Sequence, residues 1–160
     1  MLVAAMPDQT TVGLVHGDYR LDNTIVGGLG ANDPAEVIAV LDWELATLGD
    51  PLADLGAMLT YWTRPGDDLA ALDEPPTLAE GFIDRDEVVA IYEDEMGKSA
   101  PDISYYQAFA TWRLACILHG VVDRYRAGAM GSGDGFDIDE FASKVSSLGE
   151  TSLELIGSEG

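Results

Sequence analysis

A chain of 160 residues with 47% hydrophobic and 8% aromatic content can close one core, burying roughly 70% of the surface its unfolded form exposes. Twenty-nine acidic residues against eight basic ones give a formal charge of −21, a field that repels phosphate backbones and anionic headgroups, so nucleic acid and membrane surfaces are not expected as partners. There is no uncharged run of roughly 18 apolar residues and no basic segment near Met1 of the kind that opens a secretory signal, so a cytoplasmic protein is expected.

Residues 12–42 read as β: VGLV, then TIVGG, a turn-rich connection GLGANDPAE, and VIAVL. β-Branched runs punctuated by Gly, Asn, Asp and Pro suggest a hairpin with a long connection. After Asp50 the pattern becomes helical. Asp50 can cap a helix opening at Pro51, with Leu55, Met58, Leu59 and Trp62 on one face until Pro65-Gly66 stops it. A loop rich in Asp, Gly and Pro follows over 65–77. Asp84 with Glu87 resembles a capping box, and Val88, Ile91, Tyr92 and Met96 form a stripe closed by Gly97. The longest helix is expected over 103–127, with Tyr105, Phe109, Trp112, Cys116, His119 and Val122 or Val121 on its apolar side and Gly128 ending it. Cys116 and His119 are accordingly expected to pack in the core. A last helix over 138–148, extending to about 156, presents Phe141, Val145 and Leu148.

The polar stretch VHGDYRLDN, residues 15–23, is too rich for a turn, which needs only one or two such residues. Asn23 sits where the first hairpin strand begins and Asp42 just past the end of the second. In an antiparallel pair those ends are neighbours, and Asp18 lies on the loop leading into the same end. Asn23 and Asp42 offer the hard oxygens that Mg²⁺ accepts beside water and phosphate, and Asp18 can serve as a base.

His16, Asp18 and Asn23 fill the pattern H-x-D-x-x-x-x-N, and a strand ending in Asp42 follows. This resembles the catalytic loop and metal-binding aspartate of protein-kinase-like phosphotransferases. LVHGDYRLDN together with VIAVLDWELATLGDPLADL is similar in particular to the aminoglycoside phosphotransferase and choline kinase superfamily. Within it, the chain most resembles the kinase-like region found in some acyl-CoA dehydrogenase relatives, and WRLACILHGVVDRYRAG continues the likeness.

The resemblance implies an α+β fold, mostly α: the C-terminal lobe of a kinase-like fold with a small hairpin beside the catalytic loop. Residues 1–160 would form one such lobe, with catalytic loop, hairpin and metal-binding aspartate over 12–44 and a helical substrate-side subdomain over 50–160. The N-terminal nucleotide lobe, with its glycine-rich loop and strand lysine, would be absent, since 15 residues precede His16 and Lys98 follows a helix far downstream.

The implied activity is transfer of the ATP γ-phosphoryl group to a hydroxyl of a small molecule, with a hydroxylated acyl thioester as acceptor. Asp18 would be the base, and Arg20 a cation on the transferring group unless it pairs with Asp22 instead. Asn23 and Asp42 would hold Mg²⁺ and ATP, and Glu44 either helps with a second metal or is merely an exposed acid. His16 and Asp54 would support the loop, Asp54 reaching back from the helix to its amides. Tyr105, Tyr106, Trp112 and Arg113 either line the acceptor cleft or belong to the core. A partner chain or second copy would supply the missing lobe.

Two other readings stay open. One is a lobe that keeps the metal ligands but acts as a binding module or as half of a split enzyme. The other is a metal-dependent phosphohydrolase built on His16, Asp18 and Asp42, for which two histidines are few.

Overall fold

The structure, a computed structural model, describes residues 1–9, 11–28, 35–67, 75–129 and 137–157. The centre of the hairpin connection, 29–34, and part of the loop after the first helix, 68–74, lie outside those residues.

The β-rich half forms two antiparallel ribbons. The hairpin pairs β2 (Thr24–Gly27) with β3 (Glu36–Val40), opening on the register Thr24↔Val40 and carrying a bulge between Ile25 and Val26. A second ribbon pairs β1 (Gly13–Val15) with β4 (Thr47–Gly49), so that the chain before the polar loop runs beside the chain after Asp42. β4 was not expected, because a three-residue strand carries too little alternation to show in the sequence.

Helix α1 (Leu52–Tyr61) starts where Asp50 Oδ1 accepts from the Leu52 N–H at 3.1 Å. Its Leu55 and Leu59, with Trp62 just beyond, meet Val88 of α2 (Arg85–Met96) in one buried cluster. Asp84 caps α2 through the Asp86 N–H, and Gly97 ends it in the left-handed region at φ 61°, where a side chain would be strained. Of the stripe expected on α2, Ile91 and Met96 are half exposed.

Helix α3 (Ile103–Arg126) packs against both α1 and α4 (Ile138–Gly157). Its buried face is Tyr106, Ala108, Thr111, Leu114, Ala115 and Val122, which corrects the expected stripe. Phe109, Trp112 and Cys116 are exposed, and the His119 side chain is 61% exposed with Asp123 3.6 Å away. Neither Cys116 nor His119 is a core residue.

The reason lies in how closely α1 and α3 approach. A Cβ on Gly56 would fall 2.5 Å from the Tyr106 carbonyl carbon. The Thr60 and Thr111 hydroxyls lie 3.3 Å apart across the crossing, and each is also within hydrogen-bond distance of the carbonyl four residues back in its own helix. Ser152 of α4 donates to the Ala108 carbonyl at 2.8 Å. Backbones this close favour small residues and hydroxyls at the contact, so a rule that places the largest apolar side chains inward selects the wrong face. Leu114, Ala115 and Leu148 form a second cluster between α3 and α4.

Tyr106 donates to Asp50 Oδ2 at 2.9 Å. Burial, reinforced by that carboxylate, pushes its phenol above the ordinary tyrosine value. The same Asp50 therefore caps α1 and ties it to α3. The fold is α+β and mostly helical, and no helix among the described residues is long and apolar enough to cross a membrane.

Candidate active site

The polar loop lies between β1 and β2 and is fixed from several sides. His16 is 2% exposed, and both its ring nitrogens are engaged: Nε2 with the Leu41 carbonyl at 2.7 Å, and Nδ1 with the Asp18 N–H at 3.2 Å. With Nδ1 accepting, the ring proton sits on Nε2, and no nitrogen lone pair is left for a metal. The Trp43 ring covers the imidazole at 4.7 Å and is itself held by an Nε1–H bond to the Val40 carbonyl.

Asp54, on the first turn of α1, accepts from the His16 N–H at 2.6 Å and the Gly17 N–H at 2.9 Å, one bond to each carboxylate oxygen. Gly17 takes φ 86°, and a Cβ there would meet the Leu45 carbonyl at 2.8 Å, so only glycine fits. The backbone thus turns sharply just before Asp18.

Asp18 and Asn23 are brought together. The Asn23 amide donates to the Asp18 carbonyl at 2.7 Å and to its carboxylate at 3.1 Å. That fixes the amide's orientation and leaves Oδ1 as its free acceptor. The Asn23 carbonyl in turn accepts from the Leu41 N–H at 2.8 Å, so Asp42 follows immediately at the same end of the hairpin.

Asp42 has φ 64°. Among the described residues it is the one non-glycine position in the left-handed region, a conformation that costs on the order of 1 kcal/mol and that aspartate tolerates better than most. The bend ends β3 and starts the turn Trp43–Leu45, on which Glu44 is exposed. No bond among the described residues ties Glu44 to Asn23 or Asp42.

Arg20 stands between two acids, with Nε 3.7 Å from Asp18 and Nη1 3.6 Å from Asp22, and its guanidinium lies over the Tyr61 ring at 4.9 Å. Its Nε is buried without a hydrogen-bond partner. Burial raises the Tyr61 phenol above its usual value, and the nearby arginine pulls the other way. Arg20 also borders an apolar groove of about 400 Å³ whose lining includes Leu21, Met58, Trp62, Ile83 and Tyr92.

Among the described residues no three His, Cys, Asp or Glu side chains gather as a metal-holding group. The donors at the hairpin end are instead an amide oxygen and the exposed Asp42 carboxylate, which makes no side-chain bond among the described residues. An amide oxygen and a carboxylate are hard donors of the type that Mg²⁺ accepts beside waters or phosphate oxygens.

Residues 1–96, which include this whole loop, hairpin and α1, match the sequence model of the phosphotransferase enzyme family. The chain belongs to the phosphotransferase enzyme family. It is similar to acyl-CoA dehydrogenase family member 11 of Pongo abelii, 36% identical over 163 residues, covering 96% of this chain and 19% of that protein. It is also similar to acyl-CoA dehydrogenase family member 10 of Mus musculus, 38% identical over 139 residues, covering 79% of this chain and 12% of that protein. A crystal structure described as a "putative aminoglycoside phosphotransferase" from Ralstonia eutropha superposes with a TM-score of 0.66 at 29% identity, covering 98% of this chain and 48% of the other. The phosphotransferase chain thus spans about a fifth or less of the length of these curated relatives.

Three further residues contribute to the site. Trp43 packs on His16, Tyr61 lies under Arg20, and Arg113, on α3, donates from Nη1 to the Gly17 carbonyl at 2.5 Å. Trp43 could be suspected from its place beside Asp42. Tyr61 and Arg113 come from helices distant in sequence, and although Arg113 is among the residues expected in the acceptor cleft or the core, nothing local marks its bond to Gly17.

Proposed function

We propose that this chain carries the catalytic half of a small-molecule kinase that transfers the γ-phosphoryl group of ATP to a substrate hydroxyl. The observation that carries the reading is the Asn23 junction: one residue binds Asp18 through its side chain and the residue before Asp42 through its carbonyl. A base and two oxygen donors thereby share one end of the hairpin. Asp18 accepts the proton of the attacking hydroxyl, and Arg20 offers positive charge to the transferring group. Asn23 and Asp42, with Glu44 nearby in sequence, would hold Mg²⁺, which when bound neutralises phosphate charge. His16, Trp43 and Asp54 keep the loop in shape.

For the acceptor we favour a hydroxylated acyl thioester. The relatives' names connect this region with acyl-CoA dehydrogenases, and the apolar groove beside Arg20 suits a hydrocarbon body better than a polycationic sugar. A polypeptide segment covering the nucleotide, from a partner chain or a second copy, completes the reading. It is supported by the exposed apolar side chains Leu14, Ile38, Leu41, Leu45 and Leu48 on the ribbons and the adjoining turn. The phosphohydrolase alternative loses its imidazole ligand, because both His16 nitrogens are engaged.

Saturating Mg·ATP is expected to stabilise the chain by about 2–3 kcal/mol at roughly a hundredfold excess over Kd, with ATP consumed only when a hydroxylated acceptor is present. A thermal midpoint indifferent to Mg·ATP, together with no acceptor-dependent ATP consumption, would contradict the reading.

A further inference from the structure

The two peptide groups flanking Asp18 are both pinned, and by residues from different parts of the chain. The peptide before it has its carbonyl, that of Gly17, bound by Arg113 Nη1 at 2.5 Å and its N–H bound by His16 Nδ1 at 3.2 Å. The peptide after it has its carbonyl bound by Asn23 at 2.7 Å. With both planes held, the backbone dihedrals of Asp18 are set, and so is the direction of its Cα–Cβ bond, from which the carboxylate reaches Asn23 at 3.1 Å. His16, Asn23 and Asp54 all lie within the motif or on α1. Arg113 lies 96 residues beyond Gly17, on α3.

The use of this arginine is informative because the chain holds 29 acids and eight basic residues. Arg64, Arg85 and Arg126 each lie within ion-pair distance of an aspartate. Arg113 forms no ion pair among the described residues and donates to a backbone carbonyl. A charged donor to a carbonyl makes a stronger hydrogen bond than a neutral one, and its planar guanidinium fixes direction as well as distance.

We propose that Arg113 is a positioning residue for Asp18: it fixes the tilt of the Gly17–Asp18 peptide and so couples the aim of the catalytic carboxylate to helix α3. The proposal rests on the reading of Asp18 as the base. Arg113 itself need not touch substrate.

The test compares Arg113→Met and Arg113→Lys with the unaltered chain, using amide hydrogen exchange and ATP turnover. In Arg113→Met, exchange of the Asp18 N–H is expected to quicken about tenfold, the loss expected for a charged hydrogen bond, while α1 core amides such as Leu59 stay near their original rates. Turnover is expected to fall about tenfold in kcat, with KM for Mg·ATP within about twofold, because the group lost aims a reacting residue and binds no nucleotide. Arg113→Lys, which keeps a charged donor, recovers part of both. Equal acceleration of exchange throughout α1, α3 and the loop would show a general brace and overturn the proposal. So would unchanged exchange at Asp18, or a mobile Asp18 with undiminished kcat. If the unaltered chain consumes no ATP, activity of this chain on its own falls, while the exchange pattern still decides whether Arg113 holds the loop.

Discussion

Asp18→Asn is expected to lower phosphoryl transfer by about 10²–10⁴, the range supplied by a positioned general base, while leaving the unfolding transition nearly where it was. Asparagine matches aspartate in size and keeps the main-chain carbonyl that accepts from Asn23 at 2.7 Å. The 3.1 Å bond between the two side chains persists if the new amide presents its oxygen. The ion pair with Arg20 is lost, but at 3.7 Å and partly exposed it is worth under about 1 kcal/mol. Rate and stability therefore separate. Turnover of Asp18→Asn within about threefold of the unaltered protein would remove Asp18 from its role, because loss of a working base is never that mild.

Asp54→Ala has the largest expected effect on stability. Its carboxylate is the acceptor for two consecutive amides, at 2.6 and 2.9 Å, where the chain bends tightly through Gly17. Removing it leaves both donors without a partner, at about 1–3 kcal/mol for each unsatisfied group. Against a total of about 5–15 kcal/mol for an ordinary domain, that is a severe loss. Asp54→Asn keeps one acceptor oxygen but turns an NH₂ toward the other amide, so it should recover no more than about half. Urea midpoints decide the matter: both variants within about 0.5 kcal/mol of the unaltered chain would mean that the bend holds without Asp54.

What the sequence made legible was short-range. His16, Asp18 and Asn23 lie within eight residues of one another, and L-D-W-E and G-D-P-L-A-D-L follow in a compact block. Their chemistry can be read because the residue types and spacings are local. The hairpin and α1 were legible for the same reason: β-branched runs and the Asp50-Pro51 start are local signals.

The misjudged parts depend on distance. The inward face of α3 is set by how near α1 comes at Gly56, which no periodicity within α3 reveals, so Trp112 and His119 were assigned inward and lie outward. Strand β4 exists because Gly13–Val15 lies beside it, and Arg113 matters because a bend 96 residues earlier presents a carbonyl. Tyr61, read only as part of a helical run, supports Arg20 by virtue of where α1 ends.

The central claim is that Asn23 and Asp42 hold a single divalent cation beside Asp18. Mn²⁺, which accepts the same oxygen ligands as Mg²⁺, broadens the resonances of nuclei near its site and so reports its position directly. With low Mn²⁺ and ATP, the signals of Asp18, the Asn23 side-chain amide and Asp42 are expected to broaden first. The acidic surface of α2, where Asp86, Glu87, Asp94 and Glu95 are exposed, should respond only at higher concentration. Asp42→Ala should abolish the first effect and leave the second. Broadening that begins on α2, or that persists around Asn23 in Asp42→Ala, would contradict the account.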